Sequence, residues 1–472
     1  MLFNSIEFAV FLPVVVAVYF LLPLVFRPAW LAVASYYFYM AEHPEYGWLL
    51  FTCTAVAYVT GLLLGRWSDP WKRRVVVGGA ILINFGLLAY FKYVDLLVDT
   101  FNRVARGDLP LLHLALPVGI SFFTFQAVSY CLDVYRGHFP AERRFDIFAA
   151  YKAFFPQLVA GPIERPGNVV PQLKRKMSWS VERTASGLQL MLWGYFKKLV
   201  IADRLAIYVK DIYAAPAAHE GFQLLLATYA FAFQIFCDFS AYTDIARGCA
   251  RILGIDLMEN FRAPYLSRSI PEFWGRWHIS LSTWFRDYLY IPLGGNRVTW
   301  LRWQINLVIV FLVSGIWHGA DWKFAVWGGL HALYFLAANA LARIPWRLSL
   351  PPAVAWLRTG AQVLLTFHLV VFAWIFFRAA SLADAFLIVR KIAAHPFQGS
   401  ALTPAFHAPD HWIALGAIAL LESVHLLRLR VNPRELLARQ PLWIRWPAYY
   451  ALIIAVILFA VQGRQDFIYF QF

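Results

Sequence analysis

The sequence predicts an all-α polytopic membrane protein, and three observations carry that expectation. The composition is more apolar than a soluble domain tolerates: of 472 residues, 61% are hydrophobic and 15% charged, against about 25% charged in ordinary globular chains. Apolar runs recur along the chain, long enough to cross or nearly cross ~30 Å of hydrocarbon, for which a helix needs ~20 residues. Where the hydropathy pattern breaks, at 153–173 and 256–302, proline and glycine divide the chain into short or broken pieces, as re-entrant and interfacial helices between spans require.

Taken in order, the runs are 8–26, 47–65, 75–90, 114–132, 188–202, 222–236, 305–316, 324–341, 363–377, 412–427 and 446–461, with a short one at 30–40. Several are brief, so the expectation is about ten or eleven transmembrane helices plus re-entrant and interfacial helices. The first run follows "MLFNSIE", which lacks Lys and Arg, and no small-residue cleavage site follows Phe26; it is read as a permanent helix. Arg66, Lys72, Arg73 and Arg74 place the loop after 47–65 in the cytoplasm, which puts the N-terminus outside. With no internal repeat and no linker, residues 1–472 read as a single integral-membrane domain.

The formal charge of +15 excludes little by itself. Arg136, Arg143, Arg144, Lys174, Arg175, Lys176, Arg183, Lys197 and Lys198, the last two interrupting the run 188–202, fall in or beside candidate cytoplasmic connections, where positive charge fixes topology and meets anionic membrane lipid. The same face would attract an anionic cytoplasmic ligand. Nucleic acid is excluded as a partner because the charge is not gathered into a soluble basic domain. Cys53, Cys131, Cys237 and Cys249 lie in or near apolar runs without C-x-x-C spacing, so neither a disulfide framework nor a metal site is indicated.

Three polar intrusions break the pattern. In 153–173, Pro156, Gly161, Pro162 and Pro166 forbid a straight span and deliver Arg165 to the cytoplasmic side of a broken element. In 234–253, a helix would put Asp244, Arg247 and Arg251 on one face as a structural ion pair, with Asp238 on another. The third intrusion, 256–302, mixes aromatic and charged residues, punctuated by Pro264, Pro271, Pro292, Gly294 and Gly295. It divides into short helices, one starting at "SIPEFW" with Ser269 or Ile270 before Pro271 in the first turn. Its Trp274, Trp277, Trp284, Tyr288 and Tyr290 suit an interfacial belt. Its Arg276, His278, Arg286, Asp287 and Asn296 suit a more specific task, because a belt has no need of them.

Histidine inside a membrane segment marks a functional candidate. His318 sits in "SGIWHGAD", where Gly315 and Gly319 permit close backbone approach and a break before the next helix. His331 and His368 have ordinary apolar neighbours and read as satisfied helix residues. A histidine can take a proton from a hydroxyl and return it, or itself carry a group. Phosphate-binding loops, nucleophile elbows and H-E-x-x-H signatures are lacking, so chemistry, if present, is lodged in the bundle.

The segments "LPVGISFFTFQAVSYCLDVYRG", "FFPQLVAGPIERP", "FCDFSAYTDIARG", "ENFRAPYLSRSIPEFWGRWHISLSTWFRDYLYIPLGGNR", "SGIWHGAD" and the tail "DFIYFQF" together resemble the membrane-bound O-acyltransferase family, in its bacterial polysaccharide branch. The resemblance implies a bowl of helices around a central tunnel, in the bacterial inner membrane. His318 falls on the family's catalytic histidine, with His278 as its second polar position. Arg276, Trp277, Asp287, Asn296, Trp317 and Arg165 are then expected to bind substrate or acyl donor. At Gly275 relatives commonly carry Arg, which leaves Arg276 as the better cation. No permanently bound cofactor is implied; the donor is acetyl-CoA or an acyl-carrier thioester on the cytoplasmic side. The implied partners are a periplasmic acetyltransferase protein and an exported polysaccharide. D-alanyl transfer to a wall polymer, a transporter and a non-catalytic secretion scaffold are the competing readings.

Overall fold

The structure, a computed structural model, describes residues 1–343, 354–403, 406–461 and 467–468. Among them, eight helices are long and apolar enough to cross a membrane, from Pro44–Arg66 to Leu442–Phe459. The shorter apolar helix Ile6–Leu21 is capped by Ser5, whose hydroxyl accepts from the amide of Phe8. The protein is thus all-helical and polytopic. Its chain folds as two compact units, one formed by 1–191 with 242–259 and the other by 192–241 with 260–472. The 32-residue helix Gly221–Ile252 contributes to both.

In the first unit, aromatic packing and small residues replace the hydrophobic driving force that lipid does not supply. Cys53 and Ala57 are fully buried at helical spacing, and Gly61 continues the stripe so that the Tyr130 ring can lie where a Cβ would project. Phe3, Phe8, Phe11, Phe38 and Phe155 form a contiguous cluster with ring centroids 4.9–6.5 Å apart. The segment 153–173 is broken as its prolines predict, into Phe145–Ala153, Phe155–Leu158 and Pro166–Lys174. Its Glu164, only 1% exposed, accepts from the Met258 amide at 2.5 Å and from Asn168 at 2.8 Å. Arg247 bonds Asp244 and Glu259, each at 3.3 Å, while Arg251 turns to Asp256 at 2.9 Å. The expected ion pair therefore forms, with Arg251 outside it.

In the second unit, the helical path through 192–214 carries a π-helical stretch, Phe196–Ala202. That wider turn changes the phase of the helix and corrects one expectation. Lys197 and Lys198 are not loop charges: they are 2% and 1% exposed. Lys198 lies between Asp203 at 2.8 Å and Asp238 at 2.7 Å, and Lys197 donates to the Ser240 hydroxyl at 2.8 Å. Intramembrane charge usually persists by pairing, and here it does. The Ile468 amide also donates to Asp238, at 2.6 Å; Asp466 and 469–472 of the tail motif lie outside the described residues.

Helices Trp300–His318 and Trp322–Ala342 pack at two glycines. A Cβ on Gly315 would run into the Phe324 carbonyl, and one on Gly328 into the Phe311 carbonyl. Only glycine allows backbones this close. Gly319, in extended backbone, ends the first helix. Asp321 caps the second, accepting from the Lys323 amide at 2.9 Å. The break after His318 is therefore built as the sequence suggests, and it leaves the imidazole at a helix end.

Candidate active site

The stretch 256–302 folds into Pro264–Leu266, Ile270–Arg276, Ile279–Phe285 and a π turn, Arg286–Tyr290. Ser269 caps the second piece by accepting from the Glu272 amide. Between the second and third pieces, Asn260 clamps the chain: its carbonyl accepts from the Ile279 amide and its Oδ1 from the Ser280 amide, both at 3.0 Å. The clamp holds His278 at φ 43°, ψ 53°. Left-handed backbone costs a non-glycine residue roughly 1 kcal/mol or more, so the surroundings impose it.

This conformation turns the His278 ring inward, where it is fully buried. Phe239 packs on it at 4.6 Å, Phe261 at 6.4 Å, Trp317 at 6.2 Å and His318 at 6.5 Å between ring centroids. Burial pushes the His278 imidazole down to about 3, because a dry aromatic shell disfavours its charged form. It is therefore neutral at physiological pH and has donor and acceptor capacity without charge. His318 is 6% exposed and lies among Trp317 at 4.9 Å, Trp327 at 5.1 Å and Phe377 at 5.4 Å.

A cavity of about 360 Å³ reaches Ser314, one turn before His318, and neither His318 nor His278 is among its lining residues. Helix Trp300–His318 presents Trp303, Leu307, Phe311 and Ser314 to it, a stripe that ends one turn before His318. Arg286, Tyr290, Asn296 and Asn339 supply polar groups, and Trp274, Phe285 and Phe335 supply apolar ones. Such a mixture suits a ligand with polar and apolar parts.

Of the eight expected site residues, the structure brings His318, His278 and Trp317 into one cluster. Trp277 is 2% exposed, stacked on Phe273 at 5.5 Å and against Trp374 at 5.1 Å; it supports the site from behind. With Trp284 at 5%, it corrects the interfacial-belt reading, because neither indole reaches a membrane surface. Asn296 lines the cavity. Arg276 is committed to Glu272 at 2.6 Å, and Asp287 to Arg286 at 2.8 Å. Arg165 belongs to the first unit, at the start of Pro166–Lys174. A Cβ on Gly275 would meet nothing, so an arginine there would have room.

Sequence reading missed Asn260, Phe239, Trp327 and Ser314. Ser314 was discoverable as the residue one turn before His318; the others come from distant segments with no local signal. Of the other two histidines, His368 bonds the Leu364 carbonyl at 2.7 Å as expected. His331 corrects its expectation: it is fully buried, yet neither ring nitrogen has a hydrogen-bond partner among the described residues.

The protein is an all-helical membrane protein in which His318, at a helix end, and His278, before another helix, share one aromatic cluster, with a cavity of mixed polar and apolar lining reaching Ser314. Residues 144–382 match the membrane-bound O-acyltransferase family. A protein named "Probable alginate O-acetylase" from Azotobacter vinelandii is 38% identical over 390 residues, 81% of this chain and 76% of its own length. A peptidoglycan O-acetyltransferase from Helicobacter pylori is 35% identical over 425 residues, 83% of this chain and 79% of its own. A teichoic acid D-alanyltransferase from Bacillus subtilis is 28% identical over 275 residues, 55% of this chain and 68% of its own. The chain belongs to the membrane-bound O-acyltransferase family, on the branch of the alginate O-acetylases, and is an acyltransferase.

Proposed function

We propose that the protein O-acetylates an exported polysaccharide from the bacterial inner membrane, with its N-terminus outside, taking acetyl groups from a cytoplasmic thioester. The single observation that carries this reading is the His318–His278 pair, 6.5 Å apart between ring centroids at a helix break, with the cavity stripe ending one turn away at Ser314. The names of the relatives supply the substrate class.

In this reading the thioester lies in the cavity, its polar part against Asn296 and Arg286 and its acyl end toward His318. His318 removes the proton from the acceptor hydroxyl as the oxygen attacks the thioester carbonyl carbon. Neutral His278 and the Trp317 indole N–H hold the oxyanion. The carbon–sulfur bond then breaks, the acyl ester leaves on the acceptor oxygen, and the imidazolium returns its proton to the thiolate. The acceptor is a sugar hydroxyl or a side chain of a periplasmic acetyltransferase partner that passes the group on. Arg276 serves the donor's anionic groups once Glu272 releases it. The whole chain, 1–472, acts as one integral domain.

The test is the acetyl content of the exported polysaccharide in cells carrying wild type or His318→Ala at equal membrane levels. Loss of acetylation supports the reading; persistence overturns it in favour of a transporter or scaffold. Appearance of D-alanyl ester in place of acetyl ester would move the donor to an aminoacyl carrier, as the name of the Bacillus relative suggests.

A further inference from the structure

His331 is the most sharply unexplained polar group in the described residues. Its ring is fully buried, with Trp327 at 4.9 Å, Trp274 at 5.0 Å, Phe273 at 6.2 Å and Phe311 at 6.4 Å. Both of its nitrogens, and the indole nitrogens of Trp274 and Trp327, lack a hydrogen-bond partner among the described residues. Buried polar atoms are nearly always paired, and a cluster of them at one place needs a reason. A purely structural cage would be better filled by phenylalanine, which demands no partner.

Position supplies the reason. Trp274 and Phe311, on one side of His331, are walls of the cavity. Trp327, on another side, sits one helical turn before His331 and packs edge-on to His318 at 5.1 Å and 84°. The cluster thus joins the cavity wall to the base. We propose that His331 is a positioning residue for acyl transfer: together with the Trp274 and Trp327 indoles it hydrogen-bonds water drawn from the cavity, and that contact fixes Trp327 against His318. Water suits the donor set, because two indole N–H groups and an imidazole offer both donors and an acceptor to a small amphoteric guest. The inference rests on the proposed role of His318.

The experiment is steady-state acetyl transfer by the purified full chain in nanodiscs, with acetyl thioester as varied substrate and His318→Ala as reference. His331→Phe keeps the ring and removes both nitrogens. The expected result is a fall in kcat of about 10-fold or more with KM changed less than about 2-fold, the pattern of lost alignment rather than lost binding. His331→Asn or His331→Gln, which return a polar atom near Nδ1 or Nε2, should restore at least about a third of the rate. Wild-type kcat in His331→Phe overturns the proposal. So does a loss that neither amide rescues, since ring shape alone would then matter. If His331→Phe does not accumulate, Trp327→Phe is read instead: a kcat loss of about 3-fold or more at constant KM supports the proposal, and an unchanged kcat overturns it. Full activity in His318→Ala would defeat the proposed function instead, which separates the two failures.

Discussion

Two of the places where the second unit buries ionisable side chains treat them in opposite ways. Around Lys198, one ammonium is held between two carboxylates, Asp203 at 2.8 Å and Asp238 at 2.7 Å. Around His278 and His318, aromatic rings form the shell, and His278 is kept neutral at about 3. A lysine committed to two carboxylates has no capacity left to give a substrate, whereas a neutral imidazole in an aromatic shell can still donate a hydrogen bond to developing charge. The difference separates a group that holds the fold from one available to chemistry.

Substitutions can break or sharpen that contrast. His318→Ala should lower the acyl-transfer rate by ~10²–10⁴-fold, the contribution of a positioned proton-transfer group. Its melting temperature in detergent should stay near that of wild type; a protein that melts much earlier would place His318 on the structural side. Lys198→Met should do the reverse, costing about 3–5 kcal/mol of stability by leaving two carboxylates unpaired. The triple variant Lys198→Met, Asp203→Asn, Asp238→Asn should recover much of that loss, measured by thermal unfolding. Recovery of activity along with stability would keep the cluster structural.

Gly328→Val tests the helix contact beneath the histidines. It should destabilise by about 1–3 kcal/mol, since the added atoms meet the Phe311 carbonyl. His278 adds a pH dependence whose sign is fixed. Its folded value of about 3 lies below the ordinary 6.5, so below pH 6.5 the unfolded chain takes up a proton that the fold refuses. Stability therefore falls as pH drops from about 7.5 to 5, by up to about 2 kcal/mol. His278→Gln should flatten that slope in melting curves collected across this range. Gly275→Arg should change stability by less than about 0.5 kcal/mol, because the position opens to free space.

What the sequence determined by itself was the helical, membrane-spanning character, the breaks at 153–173 and 256–302, and the place of His318 at a helix end. Hydropathy, proline and glycine act through the local backbone, so their effects are legible along a single chain. The Ser269 cap and the break at Gly319 belong to the same class. Tertiary structure alone decided where the charged and aromatic side chains ended. Lys197 and Lys198 read as loop charges until a π-helical stretch and Asp238, forty residues downstream of Lys198, drew them inside. Trp277 and Trp284 read as an interfacial belt, yet they are core. His331 read as satisfied, yet beside Trp327 of its own helix its cage is closed by Trp274 and Phe311 from two other helices, and its nitrogens find no partner among the described residues. The physical reason is common to all three: the free energy of a buried polar or aromatic group depends on the partners that packing brings to it, and the order of residues along the chain does not specify those partners.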